Sequence, residues 1–192
     1  MAIVPKILLT GASGWFGQSF IYSFIKMYGY ENIDNLCLLT SDGKDIHHKL
    51  LNQTFTSNSL QSFTSSKKID LFVQAAFLTR DKIDLLGESQ YKEINQRIIT
   101  DSQNLSEELN PSARVLISSG AVHNPNDIYG QMKSFEEKSV LNSNSSLKVI
   151  FRVYGAMGIN TPLLKWSAIS DLISSAKKSN IIAIKSRANV VR

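Results

Sequence analysis

The sequence predicts a doubly wound α/β fold, a parallel sheet with helices on both faces. Three observations predict it. Short apolar runs alternate with helix-length segments along the chain. Those runs are apolar at successive positions, as strands buried on both faces require. The first of them, Ile7 to Thr10, runs straight into a glycine loop and then into a helical pattern. A length of 192 residues is enough for one good core, so one domain or one and a fraction is expected.

The elements follow in order. After the Ile7–Thr10 strand, Trp15 to Tyr28 places Phe16, Phe20, Ile21, Phe24 and Ile25 at helical spacing. Leu36 to Thr40 is a second strand, Asp45 to Leu51 reads as a short helix, and a weak third strand falls near Thr54. Leu71 to Ala76 is a buried strand, followed by a helix from Glu88 to Leu109 that Pro111 brings to a stop. Val115 to Ser118, Tyr129 to Leu141 and Val149 to Val153 continue the strand, helix, strand alternation. A helix from Leu163 to Lys178 and a strand from Ile181 to Ile184 come last. The serines around 57–66 and 142–146 mark loops.

Composition excludes several classes. With 43% hydrophobic and 19% charged residues the chain is neither disordered nor fibrous. One cysteine, Cys37, forms no internal disulfide and reads as a core thiol. The net charge of +5 is scattered, and its densest runs are pairs such as Lys67-Lys68, so no nucleic-acid partner is expected. No apolar run approaches membrane-spanning length, and the start lacks the basic region and cleavage site of a signal peptide. No membrane partner is expected, and a cytoplasmic location is the default.

Three constellations carry chemistry. Thr10-Gly11-Ala12-Ser13-Gly14-Trp15-Phe16-Gly17 lies between a strand and a helix. Its glycines permit a tight turn and close approach of a pyrophosphate, which the helix N-terminus then attracts. The spacing G-x-x-G-x-x-G departs from the dehydrogenase fingerprint, so its strand–loop–helix context is what recommends it over a ligand-free turn. Tyr129 and Lys133 stand four apart on a helix, where an ammonium beside a phenol favours the phenolate and makes the pair useful for acid/base work. An exposed pair on a solvated face is the plainer reading. Ser118-Ser119-Gly120 ends a strand, where ligands of open α/β sheets gather, although a simple capping role is common there. No G-x-S-x-G elbow is present, which disfavours a hydrolase.

The order of these motifs resembles the extended short-chain dehydrogenase/reductases, the NAD(P)-dependent epimerase/dehydratase family of nucleotide-sugar type. The residues are the glycine loop, Asp70-Leu71-Phe72-Val73-Gln74-Ala75-Ala76, Asn95, Ser118-Ser119, Tyr129 with Lys133, and Phe151-Arg152-Val153-Tyr154. The resemblance implies a Rossmann domain over 1–155 and the beginning of a substrate-binding region over 156–192, cut in mid-element as in a fragment. It implies NAD or NADP as cofactor, a nucleotide-linked sugar as substrate, and hydride transfer; a homodimer stays open. It implies cofactor contacts from Gly11, Ser13, Gly14, Trp15, Phe16, Gly17, Thr40, Ser41, Ala75, Ala76, Asn95 and Tyr154. Tyr129 would be the acid/base, Lys133 the cation on the ribose, and Ser119 the hydroxyl on the substrate. Thr79, Arg80 and Gly155 are candidates for substrate contact, and no metal site is expected.

The departures matter as much. Gln74 stands where the family often has histidine, and Phe77 where a second alanine is usual. Gly155 replaces a frequent asparagine, and only ten residues separate Ser119 from Tyr129. No acid ends the second strand, and Thr40, Ser41 and Lys44 tolerate a 2′-phosphate, which leans slightly to NADP, although Asp42 reaches the same region. A non-catalytic NAD(P)-binding or sensing protein is the alternative function. His47 and His48 read as solvent-exposed, His123 as a loop residue, and Trp15 and Phe16 as packing; Arg80 and Trp166 stay open between structural and ligand-binding roles.

Overall fold

The computed structural model describes residues 3–155, Asn160 and 168–179. Six parallel strands form one sheet in the order β5-β2-β1-β6-β7-β8. The strands are β1 (Ile7–Thr10), β2 (Leu36–Thr40), β5 (Asn58–Ser59), β6 (Leu71–Gln74), β7 (Ala113–Ser119) and β8 (Leu147–Val153). Successive residues of β1 face opposite sides of the sheet, and both sides are apolar. Ile7 and Leu9 join Ile21 and Phe24 of helix α1 (Trp15–Tyr28), while Leu8 joins Leu39, Ile69, Phe72 and Leu105 on the other side. Leu105 belongs to α2 (Ile83–Leu109), so helices cover both faces, as the apolar runs predict.

α2 kinks at Gly87, whose φ of 75° is outside the helical region, so its regular part is the predicted Glu88–Leu109. It ends at Asn110 in the left-handed conformation, one residue before Pro111. α3 (Ile128–Leu141) is capped by Asp127, whose carboxylate accepts from the Gly130 N–H at 2.8 Å. α4 (Ala168–Ser179) overlaps the predicted final helix and ends one residue beyond it, while Trp166, Ile181–Ile184 and the rest of 180–192 lie outside the described residues.

The expected short helix at Asp45–Leu51 is a strand instead. β3 (Ile46–His48) pairs antiparallel with β4 (Gln53–Phe55), a two-stranded hairpin apart from the main sheet. The strand near Thr54 therefore exists, but the third place in the main sheet goes to Asn58–Ser59, inside the serine-rich segment read as loop. Ile46 and His48 point inward and His47 outward, a period of two that the Ile46/Leu50 spacing disguised as helical. His48 is accordingly fully buried rather than exposed. Its Nε2 meets the Gln18 carbonyl at 2.8 Å, its Nδ1 accepts from the Leu51 N–H, and its ring stacks on Tyr22. Cys37 is half-buried against the α2-side core.

Candidate active site

Strand order reverses between β1 and β6, and the carboxyl ends of those strands, Thr10 beside Gln74, open the crevice where ligands of such sheets lie. Thr10 joins the two walls: its hydroxyl accepts from the N–H groups of both Ala75 and Ala76 at 3.2 Å. Gly11 follows at φ 68°, and a Cβ there would stand 2.7 Å from the Ala75 carbonyl carbon. At Gly17 a Cβ would fall 2.6 Å from the Ala12 Cα. Two of the three glycines are thus required by backbone contact. Gly14 caps α1 without a side-chain hydrogen bond, and no acid occupies the first turn. The N–H groups of Trp15, Phe16 and Gly17 are left as a cradle for an anion, with Ser13 exposed beside them. Trp15 and Phe16 are half-buried and pack edge to face.

At the end of β2 the residues are more engaged than their types suggest. Thr40 is buried; its hydroxyl bonds to Ser57 Oγ at 2.9 Å and accepts from the Gly43 N–H. Lys44 pairs with Asp42 at 2.7 Å, an exposed contact that holds the Asp42 carboxyl below its usual range. Ser41 is exposed. With Lys44 already matched to a carboxylate, the lean to NADP loses its cationic support.

The opposite wall comes from α3. Gly130, Met132, Lys133, Glu136, Glu137 and Val140 are buried, so the inward stripe of this helix is largely polar. Lys133 is only 5% exposed and donates to the Ile117 carbonyl at 3.0 Å and to Glu136 Oε2 at 2.8 Å. The Phe77 ring covers it, with Nζ 3.7 Å from the ring centroid, a cation–π contact worth on the order of 2 kcal/mol when desolvated. The same ring meets Tyr129 edge to face at 5.9 Å. Phe77 therefore stands against both members of the predicted pair.

Glu136 continues inward. Its Oε1 accepts from Gln74 Nε2 at 2.8 Å, and Gln74 Oε1 accepts from the buried guanidinium of Arg114, which also reaches Gln103. Burial pushes the Glu136 carboxyl up, against the pull of Lys133, Gln74 and Arg114. Burial likewise lowers Arg114 to about 10. Sequence reasoning noted Gln74 but missed Glu136 and Arg114. The available signal was a helical stripe, Met132, Lys133, Glu136 and Val140, that is inward by spacing yet half charged.

The remaining candidates sort by geometry. Arg80 is half-exposed, pairs with Asp127 at 2.8 Å, and sits 5.1 Å from the Tyr129 ring centroid, so it borders the site. Thr79 hydrogen-bonds Asp81. Asn95 is fully buried, with Oδ1 accepting from the Leu78 N–H and Nδ2 donating to the Tyr91 carbonyl; it pins the 75–79 loop and reaches no ligand space. Tyr91 donates to the Leu78 carbonyl, and burial pushes its hydroxyl far up. Ser119 Oγ accepts from the Ala121 N–H, while Ser118 donates to Glu137. Tyr154 is largely exposed; its ring lies over Gly120, where a Cβ would collide with it, and stacks on His123 at 5.9 Å. Gly155 is exposed with open space around it. Among the described residues no cluster of metal-ligating side chains occurs, and no helix is long and apolar enough to cross a membrane. A separate shallow groove of about 290 Å³, lined in part by Leu60, Phe63 and Asp101, shares no residue with this crevice.

No family model and no curated protein matches the chain. Solved structures do. A dTDP-glucose 4,6-dehydratase double mutant from Streptomyces venezuelae, with NAD bound, aligns with TM-score 0.66 at 14% identity over 90% of this chain and 62% of its own. A UDP-glucuronic acid 4-epimerase from Bacillus cereus in complex with NAD gives 0.62 at 16%, over 90% and 62%. A partial-consensus L-threonine 3-dehydrogenase gives 0.61 at 16%, over 82% and 56%. The chain thus spans about three fifths of these structures' length. They share its Rossmann fold, and they include NAD-dependent nucleotide-sugar enzymes of the kind the sequence resembles.

Proposed function

We propose that this chain carries the dinucleotide-binding region of an NAD(P)-dependent epimerase, dehydratase or reductase acting on a nucleotide-linked sugar. The observation that carries the reading is the glycine loop at the strand-order reversal, closed to side chains at Gly11 and Gly17 and open at the head of α1. That cradle fits a pyrophosphate, held by the backbone N–H groups of Trp15, Phe16 and Gly17, with Ala75 and Ala76 on the other side of the crevice. Ser41 and Asp42, exposed after β2, would meet the adenosine end, and both NAD and NADP belong in any titration.

A bound nicotinamide supplies or accepts the hydride. The chain's own residues handle the proton. Tyr129 Oη gives it to, or takes it from, the sugar oxygen, and Ser119, whose Oγ accepts from the Ala121 N–H, donates its own O–H to the same oxygen. Lys133 supplies positive charge one helical turn away. The guanidinium of Arg80, beside Tyr129, is the group best placed to meet an anionic part of the substrate. The nucleotide-sugar substrate rests on the sequence resemblance and on the nature of two of the matched enzymes; the threonine dehydrogenase shows that the same fold serves other substrates.

The test is calorimetry with each dinucleotide, followed by turnover on UDP- and dTDP-linked hexoses. Tyr129→Phe is expected to keep cofactor affinity and lose about 100-fold or more in turnover. Near-wild-type turnover in that variant would sink the mechanism. A second reading, a dinucleotide sensor without chemistry, is favoured by one observation, the engagement of Lys133 with Glu136, Ile117 and Phe77. Cofactor binding with no hydride transfer on any sugar tested would select it.

A further inference from the structure

An ammonium has three N–H donors. For Lys133 two are held, by the Ile117 carbonyl and by Glu136, and both partners lie on the inner side. The face left over is covered by the Phe77 ring at 3.7 Å. Phe77 packs at the edge of the cluster formed by Tyr91, Ile99 and Met132 rather than inside it. It is half-buried, follows directly on the Ala75-Ala76 backbone that lines the crevice, and leans on Tyr129 through an edge contact. A hydroxyl or phosphate oxygen approaching Lys133 from the crevice therefore meets an aromatic ring first.

We infer that Phe77 is a built-in plug of the dinucleotide site, and that a ligand engages Lys133 only after the ring swings out from between Lys133 and Tyr129. The inference rests on the dinucleotide reading above. Ile117, Glu136 and the ring together satisfy Lys133 from within the chain, so a ligand must displace the ring to use it, and apparent affinity falls by the fraction that is open. Three contacts define the plug: the ring on Lys133, the ring edge on Tyr129, and a second edge contact to Tyr91 at 6.5 Å. The last ties the ring to the pinned part of the loop, where Asn95 holds the Leu78 N–H.

Two readouts test it, one independent of any cofactor. Lys133 is labelled with an amine-reactive acylating reagent and its rate followed by peptide mass mapping. NAD and NADP affinities are measured in parallel by calorimetry. Phe77→Ala is expected to raise the Lys133 labelling rate about tenfold and to tighten dinucleotide binding by a similar factor. Phe77→Leu, which keeps apolar bulk but removes the ring face, guards against a folding defect and should fall between. Unchanged labelling in both variants overturns the plug. So does faster labelling with no gain in affinity where the wild type binds. Faster labelling with no dinucleotide bound by any of the proteins keeps the cover on Lys133 and removes the dinucleotide reading instead.

Discussion

The two walls of the crevice are built from different materials. The β1–α1 wall is backbone: glycines without room for a Cβ, and a helix end with unclaimed N–H groups. The α3 wall is side chain: an ammonium, a buried carboxylate and a phenol, each touched by neighbours. A backbone cradle does not depend on which side chains it carries, and at α1 no capping side chain claims its donors. A charged group is more easily disarmed, because one nearby carboxylate or ring engages it. On the proposed function, binding and chemistry fall on different walls, and a substitution on one need not report on the other.

The largest expected effect lies on the backbone wall. Gly11→Val asks a β-branched residue to adopt φ 68° with its Cβ 2.7 Å from the Ala75 backbone. Loss of at least about 3 kcal/mol in urea unfolding is expected, with dinucleotide binding gone. Gly155→Ala, where the space is open, should stay within about 0.5 kcal/mol. Similar behaviour of the two variants would break the contrast between a required glycine and an incidental one.

On the side-chain wall, Lys133→Met removes one partner of a buried ion pair, and a loss of about 3–5 kcal/mol is the usual consequence. Burial already pushes the Glu136 carboxyl up, so Glu136 can take a proton when the ammonium goes, which holds the loss to the lower end. Lys133→Met with Glu136→Leu should cost less than the sum of the two single changes, since neither member of the pair is left without the other, although Arg114 then loses the pull of Glu136. A double variant as damaged as the sum of the singles would mean that the pair contributes nothing as a pair.

This contrast also separates what was legible in the sequence from what was not. Glycine spacing, apolar strands and the Pro111 stop are local signals, and β1, α1, β6 and α3 follow from them nearly to the residue. The hairpin at 46–55 was hidden because Ile46 and Leu50 stand four apart, while the partner that makes Ile46 and His48 a strand, Phe55, is a turn away. Glu136 is signalled only as an inward charged position and Phe77 only as a departure; their roles were hidden for a deeper reason. What they do depends on contacts with Lys133, Gln74 and Tyr129, and in the case of Phe77 those partners are more than fifty residues off.

A smaller effect is expected at the seam joining the walls. Thr10→Val keeps the branched shape and removes the acceptor for two N–H groups, Ala75 and Ala76. Leaving them unsatisfied should cost about 1–3 kcal/mol by urea unfolding. Dinucleotide affinity should weaken with it, because those amides set the position of the 75–77 loop.

The smallest effect concerns acid. Burial alone would raise the Glu137 carboxyl, but hydrogen bonds from Arg152 and Ser118, with His123 nearby, hold it below its ordinary value of 4.5. A carboxyl lowered in the folded state contributes stability that is present above its unfolded pKa and lost as pH falls through the folded one. Arg152 is 42% exposed, so the contribution is modest, about 1 kcal/mol or less. Glu137→Gln should therefore be slightly less stable than wild type at neutral pH, and the two melting curves should converge as pH drops well below 4.5. The glycine wall carries no acid in the first turn of α1, so acid should loosen the attachment of α3 to β7 and β8 before it disturbs the glycine loop. Melting temperatures of both proteins across that range decide the matter: curves that remain parallel would place the acid sensitivity elsewhere than Glu137.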